Sequence, residues 1–219
     1  MSASGITLRS YVFLDEMQDQ LAGFIGTTAR GFLPVGGVAA CFIETAPGLV
    51  INRLTDVALK ATSVTPGIMV VERSFGLLEV HHADQGQVQL AGKAVLEYLK
   101  LEEGNRLRPR VVSQEVIRGV EPYHAQILNK MRFGDMLVGG ESLFIFEVEP
   151  AAYVAFAANE ALKAARVKLI DASLFGAFGR LYLSGPEALI DSAREAAQRA
   201  IDGIGGRELA SSLKSTPSM

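Results

Sequence analysis

Two tandem copies of one antiparallel α+β domain are the fold this sequence predicts, on three observations. Residues 8 to 80 repeat without a gap 103 positions later, with 16 of 73 aligned positions identical; unrelated chains give about one in sixteen. Each copy reads as the same order of short strands and helices. The 219 residues divide into two units of about 100, each long enough to bury its own core. Matched pairs run along the whole repeat: Gly31 with Gly134, Gly36-Gly37 with Gly139-Gly140, Glu44 with Glu147, Pro47 with Pro150, Ala58-Leu59-Lys60-Ala61 with Ala161-Leu162-Lys163-Ala164, and Phe75-Gly76 with Phe178-Gly179.

In the first copy, period and breakers predict a strand over Leu8 to Leu14, a helix over Met17 to Ala29 ended near Gly31, and a strand over Val38 to Thr45 after the Gly36-Gly37 turn. Val50 to Thr62 reads as a helix, because Val50, Ile51, Leu54, Val57, Ala58 and Ala61 share one face. Strands around Ile68 to Glu72 and Phe75 to His81 flank a tight loop, and Asp84 with Gln87 resembles a capping box opening a helix through Leu99. The second copy predicts strand Val111 to Ile117, helix Tyr123 to Arg132, strand Leu143 to Glu149, helix Tyr153 to Ala165, strands Lys168 to Leu174 and Phe178 to Leu183, and a helix beginning near Pro186. Helices are expected on one sheet face. Domains are expected at 1–105 and 106–204, with Leu101 to Arg110 a polar linker and 205–219 a disordered tail with little to bury.

Composition narrows the function. The chain is 49% hydrophobic, 21% charged and free of Trp, which is apolar enough to suggest buried contacts between copies. A net charge of -3 with scattered Lys and Arg offers no basic stripe for nucleic acid. The first ten residues lack a basic and then apolar leader, and the run Val38 to Ile43 is too short to span a bilayer; the expectation is a cytoplasmic protein with no membrane partner. The single cysteine, Cys41, sits mid-strand as a small hydrophobe and cannot form an intrachain disulfide.

Ile43-Glu44-Thr45, Gly48-Leu49-Val50, Asp56-Val57-Ala58-Leu59-Lys60-Ala61 and Val64, with Glu147, Glu160-Ala161-Leu162-Lys163-Ala164 and Val167 kept in the second copy, resemble the opening strand and first helix of bacterial microcompartment shell proteins of the trimer-forming, tandem-domain kind. A strand and a helix precede this motif in both copies, which is similar to the circularly permuted, carboxysome-like variant. The resemblance implies two ferredoxin-like shell domains, a pseudohexameric homotrimer, stacking of two such trimers, and side-by-side packing with other shell proteins, both hexamers and pentamers. Val70-Val71-Glu72-Arg73-Ser74-Phe75-Gly76 resembles the loop that lines, opens and closes a wide pore for small metabolites in that subgroup. It implies no catalytic residue and no cofactor. The shell variants that carry an iron–sulfur cluster need a pore-loop cysteine, and neither Glu72 to Gly76 nor Phe175 to Gly179 contains one.

A Glu-Arg pair at a hairpin tip is ordinarily a solvated turn. Threefold symmetry would give it work, since three Glu72-Arg73 loops would alternate around the axis with three copies of the second loop, Phe175-Gly176-Ala177-Phe178-Gly179. The glycine-rich set leaves room for a large hole and the charged set can reach across it. Arg73 guanidinium groups cannot crowd together unpaired, so closure requires Glu72 between them. Exposed pairs contribute about 0–1 kcal/mol each, which a metabolite or a backbone flip could reverse. Lys60 and Lys163 stand near the ends of equivalent helices, where lysine favours the helix C-terminus; the resemblance instead implies tile-edge contacts.

Other chemistries find less support. His81, His82 and Asp84 contain metal-ligating groups, but consecutive strand residues face opposite ways. His124 is isolated beside Tyr123. Gly36-Gly37 and Gly139-Gly140 precede strands rather than helices and so do not form phosphate cradles. The rival class is a small α+β enzyme or metabolite sensor using a cleft between the halves.

Overall fold

The computed structural model describes residues 5–208. The first half contains β1 (Thr7–Leu14), α1 (Asp19–Thr28), β2 (Ala39–Ala46), α2 (Val50–Ala61), β3 (Thr65–Glu72), β4 (Phe75–His82) and α3 (Gln85–Leu99). The second contains β5 (Arg110–Ile117), α4 (Pro122–Asn129), β6 (Ser142–Glu149), α5 (Tyr153–Ala164), β7 (Lys168–Ser173), β8 (Gly179–Gly185) and α6 (Glu187–Asp202). Each half builds a four-stranded antiparallel sheet, ordered β1-β2-β4-β3 and β5-β6-β8-β7. The element order and the duplication are as the sequence predicts.

Alternation along β2 explains how each sheet is covered. Ala39, Cys41 and Ile43 face one core with Ile51, Leu54 and Ala58 of α2 and Val88, Ala91 and Val95 of α3. Ala40 and Phe42 face the other, with Leu21, Phe24 and Ile25 of α1. Helices therefore lie on both faces, not on one as expected, because the central strands are apolar on both sides. Burial pushes the Cys41 thiol up to about 12, consistent with a packing role.

Several boundaries shift for local reasons. Met17 is tied by backbone bonds to Gly37 and Val38, so α1 starts later than its apolar pattern suggests. Helix α4 ends at Asn129 rather than Arg132, because the Asn129 side chain turns to bond both the amide and the carbonyl of Leu137. Asp84 caps α3 by accepting from the Gly86 amide, but no capping box forms: Gln87 instead accepts from Ser63. Pro186 occupies the cap of α6.

The linker is ordered as well as polar. It contains a short 3₁₀ turn at Glu103–Asn105, and Arg106 donates to the carbonyls of Tyr11 and Gly205. Leu107 forms a parallel bridge with Arg207, so the expected disordered tail does not begin at Gly205; residues 209–219 lie outside those described.

The halves share a core. Helix α5 packs on its own sheet and against β1 and α1, burying Tyr153, Val154, Ala155, Ala157, Ala158, Asn159 and Ala161. Its counterpart α2 buries only Ile51, Leu54, Thr55 and Ala58.

Candidate pore loops

The β3–β4 ladder runs to its last rung, Glu72 opposite Phe75, leaving Arg73 and Ser74 as a two-residue tip. Arg73 takes a left-handed φ of 52°, a conformation costly for a residue with a side chain. Its guanidinium lies 3.6 Å from the Glu72 carboxylate and is 92% exposed. That geometry is a loose ion pair without a hydrogen bond, at the weak end of the surface range.

The second loop opens earlier. Pairing between β7 and β8 stops at Ser173 opposite Arg180, so Leu174 to Phe178 leave the sheet. Gly176 has φ 110°, which glycine adopts without steric cost. Phe175 is partly exposed and Leu174 buried. The two loops meet within one chain: a Cβ placed on Gly176 would lie 3.9 Å from Cγ of Glu72. Glu72, Arg73, Ser74, Phe75 and Gly76 are thus brought together with Phe175, Gly176 and Ala177 on one side of the chain.

Both loops have a rigid base. A methyl group on Gly76 would overlap the Gly48 carbonyl, and one on Gly179 would overlap the Ala151 carbonyl, so each second strand starts flush against the approach to α2 or α5. The first base has a further support that sequence reading missed. The Arg9 guanidinium stacks 3.5 Å over the Phe75 ring, its Nε donates to Glu44 at 2.7 Å, and the other Glu44 oxygen accepts from the Ala152 amide at 3.1 Å. These contacts couple the base of the first loop to the start of α5. Burial pushes the Glu44 carboxyl up from its ordinary range, and Arg9 opposes that shift. Glu44 was legible as a repeated acid in an apolar strand; Arg9, one residue within a strand, carried no such signal.

The two lysines part company. Lys60 is 75% exposed and pairs with Asp56 on its own helix at 2.9 Å. Lys163 is 28% exposed and reaches Asp15 of the first half at 2.8 Å. The Lys163 bond holds the Asp15 carboxyl below its usual range. Burial alone would lower the Lys163 ammonium, but the Asp15 bond and Glu160 raise it overall.

Elsewhere, His81 is buried against Glu79 at 3.0 Å, while His82 turns out to the Asp84 amide; alternation separates them as expected. His124 lies in α4 beside exposed Tyr123. A cleft of about 380 Å³ between the halves is lined by Tyr11, Phe13, Glu103, Arg106, Phe156 and Arg199 among others, with no serine, cysteine or histidine.

Duplicated, permuted sandwiches with a loop pair at one side define a tandem shell-protein class, and the comparisons agree. The family model described as CsoS1D N-terminal domain matches residues 8–105. The chain is 50% identical over 204 residues to the carboxysome shell protein CcmP of Synechococcus elongatus, covering 93% of this chain and 96% of the relative. It is 47% identical over 197 residues to the carboxysome shell protein CsoS1D of Hydrogenovibrio crunogenus, covering 90% and 96%. Among solved structures, the fused permuted hexameric shell protein from the RMM microcompartment superposes with a TM-score of 0.88 at 45% identity, covering 90% and 96%. The double-ringed trimeric shell protein from the same compartment gives 0.90 at 37% identity, covering 93% and 100%. The chain belongs to the CcmP and CsoS1D family of carboxysome shell proteins, structural components of a microcompartment shell.

Proposed function

We propose that three copies close into a pseudohexameric tile whose axis passes between the Glu72-Arg73 and Phe175-Gly176-Ala177 loops, and that the charged arms open and close a pore for small metabolites. The observation that carries this is the meeting of the two loops on one side of the chain. A ring of three chains places six loops about one axis. Each arm has a pinned base, a tip with an unfavourable φ and a loose ion pair, so the alternative tip positions differ by little energy.

The tile passes material and catalyses nothing itself, a reading supported by relatives that are named carboxysome shell proteins. Two such trimers stack, as the double-ringed relative's description suggests, and two gates in series then enclose a chamber. Lys60 and Lys163 lie on the tile edge toward other shell proteins, with Lys60 the freer of the two.

The test is a structure of the assembled Glu72→Ala/Arg73→Ala double variant by cryo-electron microscopy. A pore uniformly open, against mixed open and closed pores in the parent, is the expected result. A closed pore in the double variant overturns the gate.

A further inference from the structure

The seam between the two halves of one chain is a template for a seam that the chain leaves unfilled. Within the chain, α1 lies against α5, and Phe24 is 3% exposed. At the 103-residue offset Phe24 corresponds to Ile127 of α4, which is 59% exposed. On the receiving side, Ala152 and Ala155 are 0% exposed, whereas their counterparts Leu49 and Asn52 are exposed. The second half therefore displays an uncovered donor face, and the first half an uncovered receiving face.

Two polar positions change in matched ways. In the filled seam Gln20 uses both ends of its amide, donating to the Val167 carbonyl and accepting from the Leu169 amide. The counterpart of Leu169 is Pro66, which has no N–H; the counterpart of Gln20 is Tyr123, whose hydroxyl donates to one carbonyl and needs no second partner. The donor lost on one side is no longer sought on the other. Glu44, oriented by Arg9 on β1, accepts from Ala152; its counterpart Glu147 is oriented by Arg180 on β8 at 2.7 Å. The arginine has moved to the opposite flanking strand, and the carboxylate is still held in place.

We infer that α4 and Glu147 of one chain dock on α2 and the start of β3 of the next copy, with Glu147 accepting from the Leu49 amide, the Tyr123 hydroxyl donating to the Val64 carbonyl, and Ile127 covering the helix. This rests on the trimeric reading above and specifies its partner surface. The contact joins two different patches, so it runs head to tail, and in the proposed trimer three such contacts close the ring.

Head-to-tail contact gives a decisive mixing test. Ile127→Arg spoils the donor face, and Asn52→Arg the receiving face; both sites are exposed, and cooperative thermal unfolding checks each fold. Each variant alone is expected to be a monomer by light scattering. Mixed in equal amounts, they retain one intact donor face and one intact receiving face between them, and a two-chain species is expected. A trimer from either variant alone, or a mixture that stays monomeric, overturns the seam; Tyr123→Asp with Leu49→Asp is the second pair should either arginine variant unfold. A parent protein that is itself not trimeric would instead overturn the tile reading.

Discussion

The two hairpin loops occupy the same place in duplicated domains yet have opposite characters. In the first, pairing persists to Glu72 and Phe75 and ends in a two-residue charged tip. In the second, pairing stops at Ser173 and Arg180 and five mostly small or apolar residues leave the sheet. The bases are alike, each held by a glycine flush against a helix approach. Duplication has therefore kept the glycine base and diversified the tip, one charged and the other small or apolar.

The sharpest way to break this comparison lies at the acids behind the loops. Glu44→Ala leaves Arg9 buried without its carboxylate and is expected to cost about 3–5 kcal/mol in urea denaturation. Glu147→Ala, whose partner Arg180 is half exposed, is expected to cost about 1 kcal/mol or less. Equal losses would show that the two acids are equivalent supports after all.

Next in size come the glycine bases. Gly76→Ala and Gly179→Ala each drive a methyl group into backbone, and each is expected to lower stability by about 1–3 kcal/mol. Gly176→Ala meets only an ordinary van der Waals contact with Glu72, so its cost comes from its positive φ, about 1 kcal/mol. Thermal unfolding of the three variants checks the order; a Gly176 effect as large as those at Gly76 and Gly179 would mean that the second tip is fixed like its base.

The smallest effects concern charge. Glu72→Ala with Arg73→Ala is expected to change stability by less than about 0.5 kcal/mol, so any pore change reads out gating and not folding. Asp15 has a depressed carboxyl value, so its share of the bond to Lys163 is present above the ordinary carboxylate range and is lost as pH falls through the depressed value. Lys163 is raised, so its share is present below the ordinary lysine range and is lost as pH rises through the raised value. Lys163→Met should flatten the acid-side decline in melting temperature, whereas Lys60→Met should not; identical profiles would put both lysines at equivalent positions again.

Much of the fold was legible because it depends on local rules. The apolar runs of β2 and β6, the apolar stripe of α2 and the breakers around Gly36-Gly37 belong to short windows, and period alone places them. The two-faced covering of the sheets was not legible, since a continuous apolar strand reveals burial without naming its cover. The fate of Lys163 was hidden too: its helix matches that of Lys60 residue for residue at Ala-Leu-Lys-Ala, and only the approach of Asp15 from the first half distinguishes them. The stacking of Arg9 on Phe75 joins residues remote in sequence, which no spacing rule connects.

Residue order alone was enough to specify the duplication, the strand and helix succession, and which hairpin tip carries charge and which carries glycine, because these follow from side-chain volume, period and backbone freedom within a few residues. Tertiary structure alone decided that α5 is enclosed while α2 keeps an open face, that Arg9 and Glu44 tie the charged loop to the second half, and that the linker is bridged to Arg207. The physical reason is that burial and ion pairing are set by whatever surface arrives from elsewhere in the chain, and two equivalent helices that end in the same Ala-Leu-Lys-Ala therefore acquire different neighbours.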